Sequence, residues 1–296
     1  MKVRTIKILS SIVIMFSIGY ILCQQFYSPQ LAEKRHPLII AHGGSKLLFP
    51  ENTMIAFDGS DSIGVDMLEM DVLLTKDSIL VCHHNENIKN TTGIDGYIID
   101  YTLAELRQFN FGYNFKDLSG SYNYRDKYVP IASLEDVFIK YGRYAMCIEI
   151  KNKDNKLGNV AIEKLYALLE KYNMKNKVIV SCFNDSIISN FRHISKRSVP
   201  TATGEAESRK IIMLSKLYLD FIHETKHTVI QVPMEVNGFR LDEQRLVNAV
   251  HNKNMKIHYW TVNEPDKIKR LLELKVDGII TDRPDIVKQV INETNN

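Results

Sequence analysis

Cysteine is scarce in this sequence, and no two cysteines have a metal-binding spacing. The four cysteines among 296 residues include no C-x-x-C pair, which argues against a zinc ribbon and against a disulfide scaffold. Cys82, Cys147 and Cys182 fall in strand-like runs, where we expect small buried hydrophobic residues. Linkers rich in proline, glycine or serine are also lacking, as are internal repeats, so we expect one folded domain after the N-terminal segment.

Net charge is equally low. The formal charge of +3 equals the contribution of Lys2, Arg4 and Lys7, so the rest of the chain is neutral overall. A nucleic-acid-binding protein needs a basic surface that displaces counterions from phosphates. We therefore expect no nucleic-acid partner, and nothing in the composition implies an obligate protein partner.

The first 35 residues differ from the rest of the chain. Residues 8–23 contain no charged side chain, and a helix needs about 20 apolar residues to cross a bilayer. We interpret residues 1–35 as a cytoplasmic basic arm followed by a transmembrane or signal segment. The absence of a small-x-small cleavage pattern favours a retained anchor. The body would then be held at the membrane outside the cytoplasm, or be secreted if the segment is cleaved.

Residues 36–296 alternate strand-like and helix-like segments, which is typical of a parallel sheet with crossover helices. The predicted strands are residues 38–41, 66–73, 79–84, 145–150, 177–181, 199–203, 228–232, 256–261 and 278–281. Only a turn precedes the strand at 79–84, so this strand must run antiparallel to its predecessor. The other eight predict an α/β fold, a (β/α)8 TIM barrel with one antiparallel strand inserted after its second strand. A doubly wound open sheet is the alternative.

Two carboxylates share one face of the second predicted strand. The strand period of two separates Leu68, Met70 and Val72 from Glu69 and Asp71, whose backbones lie about 7 Å apart. Both faces of a barrel strand are covered by protein, and hard divalent cations bind paired carboxylates. A polar, outward-facing strand face is the alternative interpretation.

A third carboxylate and a lysine lie together on a later strand. Glu149 and Lys151 share one face of the strand at 145–150 and its end. Three acidic side chains suffice to hold one Ca2+ or Mg2+, and a lysine beside them suits a phosphate oxygen. A simple ion pair between Glu149 and Lys151 is the alternative.

Histidines at strand ends are candidates for acid and base groups, because the imidazole pKa lies near neutrality. His42 follows the first strand, and Gly43 and Gly44 after it permit close backbone approach to a ligand. His83 and His84 end the antiparallel strand, and alternation allows only one of them to face the site. Hydrogen-bonded structural histidines are the alternative. Zinc ligation has no support from an H-x-H or H-x-x-x-H spacing.

Several short motifs occur in order along the body. They include AHGG at 41–44, PENT at 50–53, EMDV at 69–72, EIK at 149–151, WTVN at 260–263 and DGIITDRP at 277–284. Together they resemble the glycerophosphodiester phosphodiesterase family, a (β/α)8 barrel group related to phosphatidylinositol-specific phospholipases C. The resemblance runs from about Pro37 to Val290.

The resemblance assigns the central residues of the site. It implies that Glu69, Asp71 and Glu149 bind one divalent cation, Ca2+ or Mg2+. It also implies that His42 and His84 are the catalytic acid and base, with His84 favoured over His83 by its spacing from Thr91 and Thr92.

Further residues would contact the substrate or support the site. The resemblance places Lys151 on the phosphate and Trp260 in the pocket for the glycerol end of the substrate. Gly43 is a further candidate for substrate binding, through its backbone. Residues expected to hold the site geometry are Glu51, Asn52 and Asn85.

The chain departs from the family pattern at two positions. Gly43 stands where the family usually has an arginine, and Asn85 stands where it has an aspartate. Losing one charge-assisted contact costs about 1.5–3 kcal/mol, or roughly ten- to a hundred-fold in binding or rate. The metal and Lys151 could carry the phosphate charge instead.

The expected function is metal-dependent hydrolysis of glycerophosphodiesters to glycerol 3-phosphate and an alcohol, with acid–base catalysis by two histidines. One alternative is a membrane-associated enzyme that acts on a lysophospholipid, as lysophospholipase D does, or on a wall polymer. Another alternative is a catalytically weak barrel that binds phosphodiesters.

Overall fold

The computed structural model describes residues 36–152, 154–222 and 228–295. The strands in these ranges are β1 (Leu38–Ala41), β2 (Met67–Leu74), β3 (Leu80–Cys82), β4 (Ala145–Ile150), β5 (Val178–Ser181), β6 (Val229–Pro233), β7 (Glu235–Val236), β8 (Phe239–Arg240), β9 (Lys256–Trp260) and β10 (Gly278–Thr281). The helices are α1 (Met54–Ile63), α2 (Lys89–Thr92), α3 (Leu103–Leu106), α4 (Leu134–Tyr141), α5 (Asn155–Lys171), α6 (Asp185–Ile194), α7 (Glu205–Lys216), α8 (Gln244–His251), α9 (Pro265–Glu273) and α10 (Pro284–Asn295).

The predicted membrane or signal segment within residues 1–35 lies outside the described residues. Across the ranges that the structure describes, none of the helices combines the length and the apolar character that a membrane span requires.

Seven strands form one curled parallel sheet in the order β5, β4, β2, β1, β10, β9, β6. Thr201 and Ala202 connect the two outer strands, because they form single parallel bridges to Val180 of β5 and Val229 of β6. The strand predicted at 199–203 is thus reduced to two bridging residues. A sheet that returns to its first strand through eight positions is the architecture of the TIM barrel, and it differs from a doubly wound open sheet.

The inserted antiparallel strand is present but shorter than predicted. β3 pairs antiparallel with β2, with Cys82 opposite Val72, and it ends two residues before His84. The β7–β8 hairpin after β6 was not predicted. Its turn residues Asn237 and Gly238 both have positive φ angles, which an Asn-Gly pair adopts readily in a two-residue hairpin turn.

Alternation along β2 separates the hydrophobic core from the site. All eight residues of this strand are buried. Leu68, Met70 and Val72 belong to the same buried apolar cluster as Phe57 of α1 and Leu165 of α5. The intervening side chains therefore point to the opposite face of the sheet, which is the interior of the barrel.

The three described cysteines are buried and unpaired, as the sequence predicts: Cys82, Cys147 and Cys182.

A buried polar side chain, His258, is less easily predicted from the sequence. His258 on β9 lies in register with Gln231 of β6 and Gly278 of β10, and it is fully buried. Neither of its ring nitrogens has a hydrogen-bond partner in the described part of the chain. A Cβ atom at Gly278 would lie 2.7 Å from the His258 ring, so the glycine makes room for the imidazole.

Burial of His258 should make the protein less stable in acid. Burial lowers the pKa of His258 to about 4, whereas an unfolded histidine titrates near its ordinary value of about 6.5. Between these values the unfolded chain binds more protons, so the free energy of unfolding falls as pH drops from about 6.5 towards about 4. This contribution should reach about 3 kcal/mol near pH 4.

Urea unfolding of His258→Leu at several pH values tests this expectation. The variant should lose less stability than the wild type over the same pH range. His193→Gln, at an exposed position on α6, serves as the control and should behave like the wild type. Equal acid sensitivity of His258→Leu and the wild type would contradict the assignment.

Candidate active site

Three carboxylates converge inside the barrel. β2 and β4 are neighbours, and their register places Asp71 opposite Glu149. One carboxylate oxygen from each of Glu69, Asp71 and Glu149 lies within 4.8 Å of the others. Glu69 and Asp71 are only 4% and 2% exposed. The structure therefore brings together the three predicted metal ligands.

Burial makes this arrangement electrostatically costly. Desolvation, followed by the negative charge of Asp71, raises the pKa of Glu69 to about 8. Burial also raises the pKa of Glu149, against the opposing effect of Lys151. For Asp71, burial opposes ionisation, but the charges of Lys151 and His84 prevail and lower its pKa. Buried like charges persist only beside positive charge.

Lys151 supplies part of that positive charge. Its Nζ atom lies 2.8 Å from Glu149 Oε1 and 3.1 Å from Asp71 Oδ1. Burial disfavours the ammonium, but these two carboxylates outweigh it and raise the pKa of Lys151. Lys151 is therefore a permanent cation, held between two of the three carboxylates.

The three carboxylates fit a divalent cation. Asp71 Oδ1 is buried and makes no hydrogen bond, although Lys151 lies at ion-pair distance. Ca2+ and Mg2+ take oxygen ligands, and carboxylates are the usual protein donors. Glu69, Asp71 and Glu149 could hold such an ion because they offer one oxygen each at mutual distances of 4.8 Å or less.

The loop after β1 positions two of these carboxylates. The Gly43 N–H donates to Glu69 Oε2 at 2.7 Å, and Gly43 O accepts from the Asn52 N–H at 2.8 Å. The Asn52 side chain donates to Asp71 Oδ2 at 2.9 Å and accepts from the Asp71 N–H at 3.0 Å. Gly43 has a φ angle of +53°, a conformation that favours glycine. The departure from arginine at this position is therefore compatible with the local backbone.

His42 is held by an acidic partner from the last barrel strand. β1 and β10 pair with Ala41 opposite Thr281, so the next residues, His42 and Asp282, are neighbours. His42 Nδ1 lies 2.7 Å from Asp282 Oδ1, and the Asn263 amide donates to Asp282 Oδ2 at 2.9 Å. Burial lowers the pKa of His42, but the Asp282 hydrogen bond and the charge of Glu69 outweigh it, so the pKa is raised overall.

The two adjacent histidines have different surroundings. His83 is 2% exposed, and its ring nitrogens bond Asn85 O at 2.6 Å and Thr91 Oγ1 at 3.0 Å. Burial lowers its pKa to about 4, so His83 is a neutral structural residue. His84 Nδ1 donates to Asn85 Oδ1 at 3.0 Å, and its charge acts on Asp71 and Glu149. Of the two, His84 lines a cleft together with Glu149 and Lys151, whereas the His83 side chain is buried.

A cleft of about 660 Å3 opens beside the site. The residues that line it include His84, Glu149, Lys151, Phe183 and Asp185. Trp260 does not line this cleft, but its ring meets the Phe183 ring edge-on at a centroid distance of 6.0 Å. Glu51 lies next to Gly43, because its Oε2 atom would be 3.8 Å from a Cβ at that position.

Two residues of the site received no role from the sequence. Asp282 and Asn263 both fall in motifs that resemble the family, yet their link to His42 emerges only from the structure. A usable signal was present, because Asp282 directly follows the last barrel strand. Glu149 lies near the carboxyl end of β4, and a search for acidic residues at the carboxyl ends of the barrel strands would have included Asp282 as well.

Metal affinity should depend on pH through Glu69. Its carboxyl must lose a proton before it can bind a cation, and its pKa is raised to about 8. We therefore expect the affinity for Ca2+ to rise with pH up to about 8 and to level off above that value. Calorimetry in buffers of different ionisation enthalpy would detect the proton released on binding.

Asp71→Asn tests the same ligand set without a change of shape. It should weaken Ca2+ binding by at least about ten-fold, whereas Glu163→Gln, at an exposed position on α5, should not affect it. Affinity that is independent of pH, or that survives Asp71→Asn, would contradict the assignment of this cluster.

Known proteins resemble this chain in sequence and in fold. The sequence profile of the glycerophosphoryl diester phosphodiesterase family matches residues 42–286. A glycerophosphodiester phosphodiesterase of Bacillus altitudinis is 30% identical over 263 residues, which cover 86% of this chain and 98% of that protein. A solved glycerophosphoryl diester phosphodiesterase domain from Mycobacterium tuberculosis matches with a TM-score of 0.74 at 18% identity, over 87% of this chain and 99% of that chain.

A second solved structure contains a reaction product. It is a phosphodiesterase of Oleispira antarctica in complex with sn-glycerol-3-phosphate, and it matches with a TM-score of 0.69 at 20% identity, over 87% of this chain and 97% of that chain. These likenesses support the barrel fold, and the family profile spans most of the chain. The protein therefore belongs to the glycerophosphoryl diester phosphodiesterase family, whose members are phosphoric diester hydrolases.

Proposed function

We propose that this protein is a metal-dependent phosphodiesterase that hydrolyses a glycerophosphodiester to glycerol 3-phosphate and an alcohol. The observation that carries the proposal is the convergence of Glu69, Asp71 and Glu149 within 4.8 Å of one another. Their negative charges act on His42 and His84, and a lysine ammonium lies between two of them. This combination provides a cation site, proton donors and acceptors, and a contact for phosphate.

The three carboxylates would hold one Ca2+ or Mg2+. A bound divalent ion supplies Lewis-acid stabilisation and orientation of phosphoryl oxygens. The protein's part is to keep the oxygen ligands ionised and in place. Gly43 and Asn52 do this through their hydrogen bonds to Glu69 and Asp71.

The two histidines would exchange protons with the reacting oxygens. One ring accepts the proton of the glycerol 2-hydroxyl as that oxygen attacks phosphorus, and the other ring donates a proton to the departing alcohol oxygen. A cyclic phosphate results, and water opens it with the two roles exchanged. The Nδ1 atom of His42 is bound to Asp282, so its Nε2 atom would exchange the proton. The Nδ1 atom of His84 is bound to Asn85, so Nε2 would be the reacting atom there as well.

Lys151 would bind a non-bridging phosphate oxygen. Its raised pKa keeps it charged, and it lines the cleft of about 660 Å3. One alcohol group of the diester would extend into this cleft towards Phe183. The Oleispira antarctica phosphodiesterase with bound sn-glycerol-3-phosphate supports a glycerol 3-phosphate half in the substrate.

Product release tests this function directly. With Ca2+ or Mg2+, the purified protein should release glycerol 3-phosphate from glycerophosphocholine, and a chelator should abolish the release. His84→Ala should lower kcat by about 10²–10⁴-fold, the usual range for a lost acid–base group, while His193→Gln should retain wild-type turnover. No release with either ion between about pH 6 and about pH 9 would contradict the proposal.

A comparison of substrates tests which diester the enzyme prefers. If a lysophospholipid or a polyglycerophosphate is turned over faster than glycerophosphocholine, that compound and not a small soluble diester is the preferred substrate.

Asp282 should act through His42. Asp282→Asn removes the main cause of the raised His42 pKa, so the limb of the pH–rate profile that reports His42 should move to lower pH. We expect kcat/KM to fall about ten- to a hundred-fold, the effect of one charge-assisted hydrogen bond.

Asp285→Asn is the matched control for Asp282→Asn. Asp285 pairs with Arg283 on the outer part of the same segment, with Arg283 Nη2 2.7 Å from Asp285 Oδ2. Its loss should leave the pH profile in place. An unshifted profile in Asp282→Asn would show that Asp282 does not tune His42.

A further inference from the structure

The chain between β3 and α4 exposes a group of large apolar side chains. They include Ile94 and Tyr113, each 40% exposed, and Leu118 and Tyr122, which are 60% and 38% exposed. Ile94 and Tyr113 are close together, because a Cβ atom at Gly93 would lie 3.4 Å from the Tyr113 ring. We refer to these four apolar side chains and three neighbouring cations as the tyrosine patch, the cations being Lys116, Arg125 and Lys127.

Cations of the patch stack on its aromatic rings. The Arg125 guanidinium lies 3.6 Å from the centroid of the Tyr122 ring and 4.8 Å from that of the Tyr113 ring. Lys116 Nζ lies 5.1 Å from the Tyr122 centroid. Attraction between a cation and the face of an aromatic ring holds both groups in place. The patch is therefore a connected surface in which positive charge and exposed rings alternate.

The charges of these cations are not neutralised by carboxylates of the described chain. Across the described ranges, no carboxylate lies at ion-pair distance from Lys116, Arg125 or Lys127. The Asp117 carboxylate is engaged within its own turn, where Oδ1 accepts from the Ser121 N–H at 2.9 Å. The positive charge of the patch is thus available to an external anion.

Hydrogen bonds connect the tyrosine patch to the end of the barrel that holds the site. The Asn114 N–H, next to Tyr113, donates to Thr91 O at 3.1 Å. Thr91 Oγ1 lies 3.0 Å from His83 Nε2, and the His83 N–H donates to Asp71 O at 3.0 Å. A surface that contacts the patch would therefore lie beside the active-site end of the barrel.

The composition of the patch suits the headgroup region of a lipid bilayer. Tyrosine is enriched where a membrane meets water, because its ring is apolar and its hydroxyl is polar. Lysine and arginine are attracted to anionic lipids, whereas a soluble polyanion would not require the exposed Ile94 and Leu118. A separate part of the sequence also suggests a lipid surface, since residues 8–23, outside the described ranges, contain no charged side chain.

We propose that the tyrosine patch is a docking surface for a bilayer that contains anionic lipid. Leu118 and the exposed tyrosine rings enter the headgroup region, and the three cations of the patch contact lipid phosphates. Arg125 keeps guanidinium N–H groups for this contact, since a guanidinium can donate to phosphate while it is stacked on a ring. The docking is independent of the proposed phosphodiesterase function, which uses none of these residues.

A fluorescent label in the patch tests the proposal on the full chain. Ser121→Cys allows a dye to be attached at an exposed position between Leu118 and Tyr122, and Lys164→Cys, exposed on α5, provides the control label. Cys23→Ser in both proteins restricts labelling to the chosen site. Vesicles of phosphatidylcholine and phosphatidylglycerol in equal parts, with a spin label on the lipid headgroups, should quench the dye at position 121 and not the dye at position 164.

Removal of charge tests the contribution of the cations. In the protein labelled at position 121, Lys116→Gln combined with Lys127→Gln should lower the docking constant obtained from the quenched fraction about 25-fold, because each cation near an anionic surface contributes about five-fold. Lys164→Gln combined with Lys269→Gln removes two exposed lysines from α5 and α9 and should leave docking unchanged. The thermal midpoint of each variant checks that it is folded.

Several results would overturn the proposal. These are no quenching at position 121, equal quenching at both positions, equal quenching on vesicles of phosphatidylcholine alone, and quenching that survives the loss of Lys116 and Lys127. An emission shift as large with soluble polyglycerophosphate as with vesicles would assign the patch to a polyanion instead. Self-association that the same two substitutions abolish would assign it to a second copy of the chain. Turnover of glycerophosphocholine enters none of these measurements, so failure of the proposed function would be distinguishable.

Discussion

Three carboxylates, two of them buried and the third half-buried, repel one another at the centre of the site. Glu69, Asp71 and Glu149 lie close together, and burial opposes the ionisation of all three. The surrounding groups all supply positive charge or hydrogen-bond donors: the Lys151 ammonium, the Gly43 N–H and the Asn52 amide. A divalent ion would complete this compensation. Carboxylate oxygens are the ligands that hard divalent cations take, which is why the proposed ion is Ca2+ or Mg2+.

The barrel makes such a costly cluster possible because its strands are supported independently of the site. The outward side chains of β2 join a continuous apolar core with the surrounding helices, and burial of that surface stabilises the sheet. The inward side chains are not needed for this core, so polar and charged residues can occupy these positions. Strand register does the positioning, since Asp71 lies opposite Glu149 on β4 and His42 lies beside Asp282 at the end of β10.

The sequence was most informative where local periodicity determines the outcome. Alternation in β2 predicts that Glu69 and Asp71 share a face, and the short turn before residue 79 predicts the antiparallel β3. The sequence was less informative where the structure depends on contacts between residues that are far apart in the chain. The partnership of His42 with Asp282 spans 240 residues, and the eighth strand position shrinks to the bridges at Thr201 and Ala202. The adjacent His83 and His84 illustrate the same limit. The fold buries the His83 ring and leaves the His84 ring at the cleft, and local sequence does not show which of the two is buried.

The position of a bound ion would show whether Glu69, Asp71 and Glu149 hold one divalent cation. Crystals of the protein grown with Mn2+, a hard cation with a strong anomalous signal, would locate it without reliance on activity. We expect one anomalous peak per chain, bound by carboxylate oxygens of Glu69, Asp71 and Glu149 at distances typical of a hard cation. A peak elsewhere, or a cluster in which Lys151 alone compensates the three carboxylates at saturating Mn2+, would contradict it.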